Sequence, residues 1–83
     1  MKPDLPIDRV VRPLRCGRQA EAAEALAELT TRITTALEEG TMVPTPHLGL
    51  ILDEILAAQT RGDWLWLADL LEYELRREVK GEG

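Results

Sequence analysis

The residues that could do chemistry in this chain are few and widely spaced. His47 is the only histidine, directly after Pro46, with no second histidine at i+3 or i+4 to share a metal ion. It reads as a surface histidine in the first turn of a helix. A ferritin-like di-iron site needs Glu-x-x-His, and the residue three before His47 is Pro44. Cys16 stands between Arg15 and Arg18, whose charges favour a thiolate, but it is the only cysteine. No internal disulfide, resolving thiol or thiolate zinc site can therefore form, and a reducing, cytoplasmic setting is expected. Serine is absent, which excludes a serine nucleophile. Gly40, Gly49 and Gly62 are scattered among caps and a helix interior, so no glycine-rich loop is available to cradle a phosphate.

The carboxylates are the remaining ionisable groups. Glu21, Glu24 and Glu28, followed by Asp69 and Glu72, are loosely similar to the paired acidic helices with which all-α nucleoside-triphosphate pyrophosphohydrolases hold Mg²⁺. The spacing differs and the order is reversed, so this Mg²⁺-dependent hydrolase is an alternative reading. In the preferred one these side chains solvate helix faces and pair locally, as Glu72 can with Arg76 at i+4. No cofactor and no metal ligand set are implied.

The side chains best suited to recognition are aromatic. Both tryptophans and the only tyrosine fall in the stretch 63–80. At about 100° per residue, Trp64, Leu67, Ala68, Leu71, Leu75 and Val79 share one side of a helix. Trp66, Leu70 and Tyr73 form a second stripe nearly opposite. This helix offers more apolar surface than one packing partner could cover. Tryptophan and tyrosine are enriched at interface hot spots, and a tryptophan buries on the order of 200 Å². The second stripe either buries against helix 18–39 in a three-helix bundle or, in the preferred reading, forms with Leu50 from the preceding helix the interface of a dimeric helical bundle.

Three helices must position these groups. The first is expected over about 18–39, where Ala22, Leu26, Leu29, Ile33 and Ala36 step by four and three and Gly40 follows as a left-handed cap. The second, about 46–61, begins with Thr45 as N-cap and Pro46 in the first turn. Its buried face is expected to hold Leu48, Ile51, Leu52, Ile55, Leu56 and Ala58, with Leu50 exposed. Gly62 closes it, Asp63 caps the third helix (63–80), and so short a join predicts an antiparallel hairpin. Residues 1–17 contain Pro3, Pro6 and Pro13, and a basic arm is expected there, with no more than one short turn around Ile7, Val10, Val11 and Leu14. The domain organisation is thus an arm, 1–17, on a helical domain, 18–83.

The totals bound the function. Eighty-three residues make one domain, whose core supplies roughly 3–5 kcal/mol of net stability, and small helical chains often add to this by dimerising. The net charge of -5 argues against general nucleic-acid binding, which draws on phosphate neutralisation by Lys and Arg. Residues 1–18 carry five basic and two acidic groups, +3, while 19–83 carry five basic and thirteen acidic, -8. A basic arm on an acidic body most simply folds back on it or on a twin subunit. No apolar run approaches the ~18 residues of a membrane span, and the N-terminus lacks the apolar core of a signal peptide.

The segment D-W-L-W-L-A-D-L-L-E-Y-E-L, Asp63 to Leu75, resembles a recurring C-terminal helix in a family of small uncharacterised bacterial helical proteins. The resemblance covers the last third of the chain, helix 46–61 loosely and the N-terminal segment not at all. It implies an all-α fold and a candidate polar cluster of Asp69, Glu72 and Glu74 acting with Tyr73, the tyrosine bonding a carboxylate across an interface. The expectation is a non-enzymatic cytoplasmic interaction protein, an adaptor or chaperone-like module, homodimeric through helix 63–80 and free to take an unidentified protein partner. A flagellar-type secretion chaperone, also small, acidic and helical, is the other alternative.

Overall fold

The computed structural model describes residues 5–80, and all regular structure within them is helical. There are four helices: α1 (Ile7–Arg15), α2 (Gln19–Glu39), α3 (Pro46–Arg61) and α4 (64–80). The last is continuous in backbone direction but changes winding, with α-helical Trp64–Asp69, π-helical Leu70–Leu75 and α-helical Arg76–Lys80.

The first helix corrects the expectation of an arm. Ile7, Val10, Val11 and Leu14 are buried together with the leucines of the other helices, so residues 7–15 belong to the same core as the rest. Pro13 lies inside this helix. Only one hydrogen bond, to the carbonyl of Arg9, is forfeited by its missing N–H, and Pro13 stands in the last turn, where little helix remains to be disrupted. Burial of four apolar side chains, worth about 1.5–3 kcal/mol each when complete, outweighs that loss. Asp8 in the first turn and Arg12 and Arg15 in the last also complement the dipole.

Gly17 ends α1 and turns the chain into α2. Its φ of 76° is unstrained only without a side chain. It allows Arg18 N–H to reach the Pro13 carbonyl (2.8 Å) and Gly17 N–H the Leu14 carbonyl (3.2 Å). These two bonds make a Schellman closure. Gly40 and Gly62 repeat the pattern, through Thr41 to Ala36 (3.0 Å) and Asp63 to Ala58 (2.9 Å). At the other ends, Thr45 Oγ1 accepts from the Leu48 amide (3.0 Å) and an Asp63 carboxylate oxygen from the Trp66 amide (3.3 Å).

α1 packs against α2 and α4, and α4 in turn against α3. The Thr45 hydroxyl at the start of α3 donates to Glu78 near the end of α4 (2.6 Å), so the two helices run side by side in opposite directions. The core is built from Leu26, Leu29 and Ile33 of α2, Ile51 and Ala58 of α3, and Leu67, Leu71 and Leu75 of α4, closed by α1. Met42 seals it between α2 and α3.

With α1 as a second neighbour, α4 has two flanks to cover. That explains why Leu70, expected on an open stripe, is only 4% exposed. In an α-helix Leu70 and Leu75 would be splayed by about 140°. The wider π turn brings them closer, and Leu70, Leu71 and Leu75 are all buried.

Candidate interaction surfaces

Two arginines cross the seam between α1 and α4. Arg15 donates to Glu72 and to Asp69 (3.3 Å), and Arg76 of α4 donates to Asp8 of α1 (2.6 Å). Donating to Glu72, and then to Asp69, raises the Arg15 pKa above its ordinary value. Asp69, Glu72 and Arg76, spaced by three and four, thus face α1. The basic N-terminal segment folds back on the chain's own acidic helix.

Glu74 does not join this pair. It lies 3.8 Å from His47 Nε2 and 3.7 Å from Arg77, on the flank of α4 that faces α3. Of the predicted polar cluster, Asp69 and Glu72 are brought together by Arg15, and Glu74 is turned away. Tyr73 is 61% exposed. The hydrogen bond from Tyr73 to a carboxylate that the resemblance implies has no counterpart among the described residues.

The acidic residues of the hydrolase reading also fall on different seams. Glu21, Glu24 and Glu28 border a shallow hollow between α1 and α2, where Arg18 meets Glu21 (3.6 Å) and Arg9 and Arg32 meet Glu28 (3.9 and 3.3 Å). Asp69 and Glu72 lie on the α4 side of α1. Among the described residues no three His, Cys, Asp or Glu side chains converge on a point where an ion could bind. Cys16 is exposed at the end of α1.

Among the described residues, and besides exposed Val43 and Leu65, two apolar surfaces are open. On the α3 and α4 hairpin, Trp66 is 40% exposed and Tyr73 61%, both carried by α4. Leu50, 66% exposed, comes from α3, one turn after His47 and hence close to the Glu74 level of α4. Leu70 lies beneath this face as part of the core.

The second surface is a groove of about 350 Å³ between α2 and α3. Leu29, Ile33 and Ile55 line its depth; Leu37, Leu52 and Leu56 stand higher on its walls. Leu56 was expected on the buried face of α3 and is 64% exposed. Helical periodicity places Leu52 and Leu56 on the α2 side of α3, but α2 stands too far off to cover them. Spacing along one helix carries no information about that separation, so the groove had no signal in the sequence.

No helix among the described residues is long and apolar enough to cross a membrane. No protein-family model matches this chain, and no curated protein or solved structure is significantly similar to it.

Proposed function

We propose that this chain is a small, non-enzymatic, cytoplasmic interaction protein that self-associates through the outer face of its α3 and α4 hairpin. The observation that carries the reading is the exposure of Trp66 and Tyr73 on α4, with Leu50 exposed on the adjacent helix. Tryptophan and tyrosine in this setting supply large, stiff contact area, and they are the residue types most enriched at binding hot spots. The polar groups around them, His47, Glu74 and Arg77, already engage one another and make a suitable rim. Leu70 contributes from below by fixing the shape of the face rather than by direct contact.

Gel filtration coupled to light scattering tests this. A particle of twice the 9.3 kDa chain mass is expected at micromolar concentration, and Trp66→Glu or Tyr73→Glu should return it to a monomer with unchanged helical content. A wild-type chain that stays monomeric throughout the concentration series would sink the proposal.

A further inference from the structure

We infer that the groove between α2 and α3 is a docking site for an amphipathic helix of another protein, one whose apolar stripe is flanked by lysine or arginine. This surface is separate from the hairpin face, and it is available whether or not that face dimerises.

Shape is the first argument. On the α2 wall the groove runs from Leu26 to Leu37, about 16 Å or three helical turns. A trough of that length between two helices, apolar along its depth and open above, accepts side chains at i, i+3 or i+4, and i+7 of a third helix. The exposed Leu56 and the half-buried Leu37 and Leu52 are the walls such a helix would cover.

Charge decides between occupants. Among the described residues Asp53 is the only ionisable one lining the groove, and Glu38, one turn after Thr34 on α2, stands exposed just beyond its lining. No arginine lines it, and neither carboxylate has a cationic partner among the described residues. Seven of the eight described arginines are paired elsewhere, and the eighth, Arg12, lines the hollow between α1 and α2. A second copy would bring the same acidic Asp53 and Glu38 to this groove. A helix with basic flanks supplies what both walls lack, and opposite charges across an interface favour encounter and fix register.

The experiment is selection of binders to the full chain from a randomised library of helical peptides, followed by synthesis of the winners and mapping by amide chemical shifts. Winners should repeat apolar residues at helical spacing with Lys or Arg beside them, and shift the amides of Leu37, Asp53 and Leu56. Leu56→Glu should weaken them at least about tenfold, as expected of a hot-spot contact, without altering helical content or oligomeric mass. Asp53→Lys, on an exposed site, should reverse the preference towards Glu-flanked versions of the same peptides. The inference is overturned by an absence of winners, by acidic or uncharged flanks, or by shifts centred on Trp66 and Tyr73. Groove shifts that change on dilution without peptide also overturn it, since a second copy would then be the occupant.

Discussion

The α1 to α4 seam and the α2 to α3 seam are each built between two amphipathic helices, yet one is closed and the other open. Fully buried Val10 and Leu71 lie on the helices of the first, and two arginines cross it to three carboxylates. The second has apolar side chains on both walls and no ion pair across it among the described residues. Charge separates the two cases. α1 carries three arginines against Asp8, and the facing helix is acidic, whereas α2 carries five glutamates against Arg32 and α3 two acidic residues against Arg61. Across the closed seam a basic helix meets an acidic one, and across the open seam two acidic helices face each other. The closed seam is therefore where stability resides, and the open seam is where surface is available for recognition.

The largest effect should come from the closed seam. Val10→Asp places a carboxylate where the native side chain is 0% exposed, and cooperative thermal unfolding monitored by circular dichroism should be lost. If α1 were a dispensable arm, the substitution would be silent, and the contrast between the seams would collapse. Next in size, Leu71→Ala should cost about 2–5 kcal/mol in urea unfolding, the range for a buried leucine truncated to a cavity. Leu56→Ala on the open seam should stay within about 0.5 kcal/mol of the wild type, as for other exposed sites. Equal losses at the two leucines would mean that α2 and α3 close on each other in solution.

The same contrast accounts for what could be read from the residues alone. α2, α3 and the start of α4 combine long 3.6-residue periodicity with Thr45, Pro46, Gly62 and Asp63 at their ends, so pattern and caps agree. In α1 they conflict. Three prolines in thirteen residues argue against helix, and the compensation is tertiary, through burial of Val10 and Leu14 and the cross-seam pairing of Arg15. A local signal was nonetheless present, since Gly17 follows two arginines at the place a helix closes with glycine. Leu70 was misplaced for a related reason: a wheel drawn for one α-helix foresees neither the π turn nor a neighbour on each flank. The exposure of Leu50 follows from the periodicity of α3 and that of Trp66 from the α-helical start of α4, which is why those two were legible.

A substitution on α3 sharpens the comparison by reporting how much free space the open side has. Gly49 lies in the helix interior, one turn before Leu52 and two before Leu56, and a Cβ added there would meet nothing within 4 Å. Gly49→Ala should therefore stabilise the chain by about 0.5–1 kcal/mol, the helix-propensity difference alone. A loss of stability in chemical denaturation would show that something occupies the space beside α3.

The smallest effect concerns the ionic contacts that distinguish the closed seam. Asp8 and Arg76 are paired at 2.6 Å, with side chains 60% and 34% exposed. A double-mutant cycle with Asp8→Asn and Arg76→Gln should give a coupling of about 0.2–1 kcal/mol, typical of a partly solvated pair. Screening should reduce it at high salt, where the Debye length falls to about 3 Å at 1 M. The cavity cost of Leu71→Ala should hardly change over the same range. If the coupling vanished even at low ionic strength, the pairing would set only the register of α1 on α4. The stability of the seam would then rest on its apolar contacts, and the open seam would differ from it by the distance between helices rather than by charge.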